Sequence, residues 1–378
     1  MIILKGDRKV MTQIFGAPGR YIQGYGELKR IRQHLEWMGK SFTVIASKNR
    51  IKSLSSVILE SFGEGFEITF VEFQGESSRK EISRIQAIAN EKDAKCIIGL
   101  GGGKVIDTAK AVAAFSNLSC VIIPTIAATD ASTGALSVIY NEDGSMESEV
   151  HYNKSPEAVI VDTEIIMKAP VRFLVAGMGD AISSYFGGRV AFNQYSDNEF
   201  GAKPTWLGYV ICQQCYDVLM KHGQAAKIAC ENNVMTDDLN KVIEVNVLLS
   251  GLGMESGGCA ADHSFYYAFC ALNTREEDMY HGEYVAFSVL AQLIMEGAPK
   301  EEIDKVYKFC LSVGLPVTLA DIHMDNLTEE ECDVIANVIL EQDGPKHYPF
   351  EITREKVLGS MWTADAIGNL YKKGDCLI

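Results

Sequence analysis

The sequence predicts an α/β N-terminal domain with a parallel sheet, followed by an all-α C-terminal domain. Three observations lead there. Short apolar runs alternate with amphipathic stretches over residues 1–169, strand signals nearly vanish over 170–378, and a glycine cluster joins one apolar run to a helical pattern. Alternation of this kind implies crossover connections and a parallel sheet.

The elements follow in order. Phe42 to Ser47 (FTVIAS), Ile68 to Phe73 (ITFVEF), Lys95 to Gly101 (KCIIGLG) and Cys120 to Thr125 (CVIIPT) read as strands. VILESF and Arg79 to Lys92 between them read as helices. Ala135 to Tyr140 reads as a strand entering a turn at Asn141 to Gly144. After Pro170 the segments lengthen and become helix-patterned, as in GMGDAISSYFGGRVAF, TWLGYVICQQCYDVLMKHG and HGEYVAFSVLAQLIMEG. The boundary between the domains is expected at Lys168 to Val171.

Composition bounds the function. The chain has 378 residues, 47% apolar and 22% charged, which excludes a disordered protein. No apolar run reaches the ~18 residues of a membrane span. The opening MIIL is too short for the core of a signal peptide. The formal charge is −15 with no basic run, so neither nucleic acid nor an anionic membrane is an expected partner. Ten scattered cysteines fit a reduced, cytoplasmic compartment better than a disulfide framework. Cys212 and Cys215 form a C-x-x-C on a helical pattern, where buried thiols are the expectation over a redox pair or half a metal site.

Gly101, Gly102 and Gly103 lie between a strand end and a helix start. Glycines there let a backbone approach a ligand, and the helix start offers free amides to a phosphate. An acidic protein can hold an anion this way. The cluster is neither a strict G-x-G-x-x-G nor a P-loop, and a tight turn would read the same. A second loop, Pro124 to Tyr140, is rich in small and hydroxyl residues and follows the next strand. Two such loops at adjacent strand ends suit a dinucleotide on a Rossmann-like sheet.

Asp180, His263 and His281 stand in apolar or small-residue stretches of the helical half, where bare polar groups are costly. One carboxylate and two imidazoles are a common donor set for Zn²⁺ or Fe²⁺. The spacing alone fits three separately satisfied polar residues better than a metal site. Cys259, four residues before His263, is a rival ligand or a packing residue.

Taken together, GLGGGKVIDTAKAVA, PTIAATDASTGALSVIY, AGMGDAISSYF, GGCAADHSFYYAF and HGEYVAF resemble the glycerol dehydrogenases of the iron-containing alcohol dehydrogenase superfamily. GRYIQGYGEL near the start and WTADAIGNL near the end extend the resemblance over almost the whole chain. It implies the dehydroquinate synthase-like architecture, with the active site in a cleft between a dinucleotide domain and a helical domain. It also implies oxidation of glycerol to dihydroxyacetone with NAD and a divalent metal, in a homo-oligomer. On this resemblance the metal ligands are Asp180, His263 and His281. The pyrophosphate loop is Gly101, Gly102, Gly103 and Lys104, with Asp107 in the same segment. Thr125, Ala128, Leu136 and Tyr140 match further cofactor contacts, and Asp130 matches a carboxylate set against the substrate hydroxyls.

Four positions depart from the family pattern. Ser47, followed by Lys48 and Arg50, replaces an aspartate that binds the adenosine ribose, which leaves NADP use open beside NAD. Ala128 and Gly134 replace serines of the cofactor loop. Ser184 stands where iron-type relatives place a further histidine, which favours zinc over iron. Tyr266 replaces a second histidine, which puts the substrate rather than the reaction in question. The competing expectations are an NADPH-dependent reductase of 2-oxo acids on the same scaffold and a non-catalytic dinucleotide sensor. A carboxylate at Asp130 beside a substrate carboxylate speaks against the first, and the intact triad against the second.

Overall fold

The computed structural model describes residues 12–272, 279–375 and 377. The N-terminal MIIL and Cys376 lie outside them. Eight strands are described: β1 (Tyr21–Gly24), β2 (Ser41–Ala46), β3 (Glu67–Glu72), β4 (Cys96–Gly101), β5 (Ser119–Pro124), β6 (Leu136–Tyr140), β7 (Met146–His151) and β8 (Ala158–Asp162). The helices that alternate with them are α1 (Ile31–Leu35), α2 (Lys48–Phe62), α3 (Arg79–Glu91), α4 (Gly103–Ser116) and α5 (Thr163–Met167). From Val171 onward every described element is helical. These are α6 (Val171–Gln194), α7 (Trp206–Glu231), α8 (Asp237–Glu244), α9 (Ser250–Gly257), α10 (Ala261–Ala271), α11 (His281–Glu296), α12 (Lys300–Val313), α13 (Glu329–Glu341) and α14 (Arg354–Lys372). A π-helical segment, Val245–Leu249, joins α8 to α9 without a break.

Six strands form one parallel sheet in the order β1-β8-β5-β4-β2-β3. The four long apolar runs read from the sequence are β2 to β5, each within a residue of its expected limits. Strands β4 and β8 are buried along their whole length, as parallel strands covered on both faces are. The expected strand at Ala135–Tyr140 is β6, and it turns back as an antiparallel hairpin with β7. Strands β1, β7 and β8 are additions to the sequence reading.

The chain moves outward from β2 to β3, then returns to the other side of β2 to lay down β4 and β5. The switch point therefore lies between β2 and β4, and ligands of such sheets sit beyond the strand ends there. Ala46 pairs with Leu100 and Gly101 with Pro124, so Ser47, the glycine cluster and Thr125 leave the sheet along one edge.

Strands end with β8 at Asp162 and only helices follow, and packing continues across this change. One apolar cluster holds Ile45, Ile97 and Val161 of the sheet together with Met178, Phe186 and Phe287 of the helices. No helix among the described residues is long and apolar enough to cross a membrane.

Candidate active site

The glycine cluster forms the turn from β4 into α4. A Cβ at Gly101 would lie 2.8 Å from Val105 Cβ, and one at Gly102 would lie 2.9 Å from Ile126 Cδ1. Gly101 thus packs against α4 and Gly102 against Ile126 of the second loop. Gly102 caps α4 without a side-chain hydrogen bond, so the first amides of the helix keep their capacity for an anion. Helix α2 differs: Ser47 Oγ accepts the amide of Arg50 at 3.4 Å.

The remaining expected cofactor residues fall around this edge, with different partners. Thr125 donates its amide to Gly101 O at 3.0 Å, which binds the second loop to the first. Lys104 reaches Glu76 at 2.6 Å and lies over the Tyr140 ring. Asp107 is buried and pairs with Lys110 at 3.2 Å. Burial raises the Asp107 carboxyl pKa, and Lys110 opposes that rise. Ala128 is buried, Gly134 faces Glu255, and Leu136 and Tyr140 bound β6.

The sequence gives no hint of Lys110 as a structural residue. Its ammonium is buried and donates to Ala131 O at 2.8 Å and to Leu136 O. One charge thus gathers both ends of the segment that follows Asp130. Glu255 of α9 holds the same segment from the helical side, accepting the Ala135 amide at 2.6 Å. Asn246 donates to Ala127 O at 3.0 Å and to Leu174 O at 2.9 Å, spanning loop and α6. These contacts join residues more than 20 positions apart or on different elements, so no local pattern announces them.

Asp180 lies on α6, His263 on α10 and His281 at the first turn of α11. The three side chains converge, with one donor atom from each within 4.8 Å of the others. Among the described residues no other group of three His, Cys, Asp or Glu side chains does so. Cys259 is not in the group, and Cys212 and Cys215 are buried free thiols on α7. His281 Nε2 stands 3.2 Å from Asp180 Oδ1. Burial opposes the charge of Asp180, but His281 and His263 prevail and hold its carboxyl below the usual range. The Tyr266 ring packs edge-on against His281, with centroids 4.3 Å apart.

Glycines make this convergence possible. A Cβ at Gly282 would lie 1.8 Å from Ala176 O, and one at Gly179 would lie 2.1 Å from Gly282 O. Helices α6 and α11 therefore touch backbone to backbone beside Asp180 and His281. The signal is present in the sequence as a glycine beside Asp180 and beside His281, in MGD and in HGE.

Asp180 also joins this cluster to the loop that follows β5. Its Oδ2 accepts the Asp130 amide at 3.1 Å. The Asp130 carboxylate receives Ser250 Oγ at 3.3 Å, and Ser250 meets Ser184 Oγ at 3.0 Å. Ser184 thus belongs to a hydroxyl pair behind Asp130. Burial, then the charge of Asp180, pushes the Asp130 carboxyl up to about 8.

The donor set fits a divalent cation: a buried carboxylate and two imidazoles, already gathered, with a fourth position open to chemistry by their number. A glycine turn at the switch point of a parallel sheet, tied through one loop to such a cluster, suits an NAD(P)-dependent alcohol dehydrogenase. Comparison with known proteins agrees. Residues 18–163 match the profile of the iron-containing alcohol dehydrogenases. A glycerol dehydrogenase of Citrobacter freundii is 38% identical over 96% of this chain and 99% of its own. A glycolaldehyde reductase of Halobacterium salinarum is 39% identical over 95% of this chain and 98% of its own. The crystal structure of glycerol dehydrogenase from Schizosaccharomyces pombe superposes with a TM-score of 0.92 at 31% identity, covering 96% of this chain and 93% of that one. The chain belongs to the iron-containing alcohol dehydrogenase family.

Proposed function

We propose that the protein interconverts a small neutral polyol and its ketone, glycerol and dihydroxyacetone first, by hydride exchange with NAD. The contact between Asp180 and the Asp130 amide carries this reading, because it sets the metal cluster beside a carboxylate able to bind hydroxyls. Asp180, His263 and His281 are the proposed metal ligands. A divalent cation there, zinc rather than iron, supplies Lewis-acid activation of the alcohol. Asp130 accepts hydrogen bonds from the remaining substrate hydroxyls and orients the carbon that gives up hydride. Tyr266 closes the wall beside His281.

Gly101, Gly102, Gly103 and the first amides of α4 take the pyrophosphate. Lys104, Asp107, Thr125, Ala128, Gly134, Leu136 and Tyr140 shape the rest of the cofactor cleft, and Ser47 meets the ribose. With no carboxylate at Ser47, NADP remains a second cofactor to test. Where Asp130 is ionised, above about pH 8, it repels a substrate carboxylate, which favours polyols over 2-oxo acids at alkaline pH. Exposed Tyr195, Trp206 and Leu207 near the α6–α7 connection support a homo-oligomer, to be checked by light scattering.

The test is reduction of NAD by glycerol, followed before chelation, after it and after addition of zinc, from neutral to alkaline pH. The expected result is activity that chelation removes, zinc restores and alkaline pH raises. A folded, zinc-loaded protein that ignores glycerol but reduces 2-oxo acids with NADPH would replace this reading.

A further inference from the structure

Asp262 immediately precedes His263 on α10, and its side chain is wholly buried. One carboxylate oxygen, Oδ1, accepts the Ala260 amide at 3.1 Å. The Asp262 amide donates to Gln292 Oε1 at 2.8 Å, which ties it to α11, the helix of His281. The other oxygen, Oδ2, is buried without a hydrogen-bond partner. His263 Nδ1 stands 3.3 Å from it and is itself buried without a hydrogen-bond partner. Space for this carboxylate comes from α6, where a Cβ at Gly187 would approach Oδ2 to 3.2 Å.

Asp262 is thus enclosed by α6, α10 and α11, the three helices that carry Asp180, His263 and His281. A buried carboxylate with one oxygen unsatisfied is costly, and so is a buried ring nitrogen without a partner. The two lie 3.3 Å apart with complementary chemistry, and a turn of the imidazole ring would aim Nδ1–H at Oδ2. An imidazole that coordinates through Nε2 carries its proton on Nδ1, and that proton needs an acceptor. Cys259 also lies near His263, but a thiol is a weak acceptor.

We propose that Asp262 is an outer carboxylate of the metal site, a positioning residue that accepts Nδ1–H of His263 and leaves Nε2 to coordinate. The inference rests on the reading of Asp180, His263 and His281 as metal ligands. In the metal-bound protein the Nδ1–H to Oδ2 bond satisfies both orphaned atoms. It fixes the tautomer and the ring plane of His263, and the negative charge makes the imidazole a stronger donor.

The experiment measures zinc affinity of the full chain by competition with a chelator, in wild type, Asp262→Asn, Asp262→Ala and His281→Ala. Circular dichroism identifies the folded variants. A second readout is the downfield proton resonance of a hydrogen-bonded imidazole N–H in the zinc-loaded protein. Wild type should bind zinc and show the resonance. Asp262→Asn, which keeps the shape, should weaken zinc binding roughly 10- to 100-fold and shift the resonance. Asp262→Ala, where folded, should abolish the resonance, and His281→Ala should lose zinc. Wild-type affinity and an unmoved resonance in folded Asp262→Asn would overturn the inference and leave the metal site intact. If wild type and His281→Ala both fail to bind zinc, the metal reading falls and this inference with it.

Discussion

Glu255 is buried, yet only one of its two oxygens has a hydrogen-bond partner. Burial pushes its carboxyl from an ordinary 4.5 up to about 7. The sign of the effect on stability follows from linkage. Below the unfolded value both states hold the proton, and Glu255 costs nothing. Between the two values the folded state alone keeps it, so stability falls as pH rises toward about 7. Lys110 and Glu199 also act on this group. Glu255→Gln keeps an acceptor for the Ala135 amide and removes the ionisation. We expect the variant to lose this part of the slope and to exceed wild type by up to about 3 kcal/mol above neutral pH. Denaturant titrations at several pH values check it, and parallel slopes for the two proteins would refute it. At this scale the legible residues were those whose neighbours in sequence carry the signal. Asp180, His263 and His281 stand out as polar residues in apolar or small-residue stretches. Glu255, Ser250 and Lys110 act through partners that only the fold brings near.

The decisive element is the crossing of α6 and α11. Its closeness rests on Gly179 and Gly282, each of which meets opposing backbone where a Cβ would stand. Gly282→Ala must push the helices apart, and Asp180 and His281 with them. We expect at least a tenfold loss of zinc affinity, together with destabilisation of about 1–3 kcal/mol from overpacking. Isothermal titration and thermal melts measure the two effects, and unchanged zinc binding would show that the crossing does not set the site. Strand legibility followed the same logic of context. Strands β2 to β5 are long apolar runs bounded by helical patterns. Strand β1 has four half-buried residues at a sheet edge and no alternation to detect. Strand β8 runs directly into α5, so AVIVDTEIIM mixes two periods in one apolar stretch.

The sheet and the helices share one apolar cluster, and Lys110, Glu255 and Asn246 hold the loop between them from both sides. Two independent folding units would lack such a core. We therefore expect heating to produce one cooperative transition, with its midpoint lowered by chelation and restored by zinc. Differential scanning calorimetry checks this, and two separated transitions would contradict it. The fold class was legible because period and glycine placement are local, whereas the shared core is a property of tertiary packing. The π-helical segment Val245–Leu249 has its own consequence. An α-helix turns about 100° with each residue, so one residue more or less resets the direction of all that follows. Asn246 lies inside this segment, Ser250 and Glu255 beyond it, and all three face the loop of Asp130. Substitutions there leave the angular phase of α9 alone. Deleting a single residue would rotate Ser250 and Glu255 away together, so sequence length is itself part of the site.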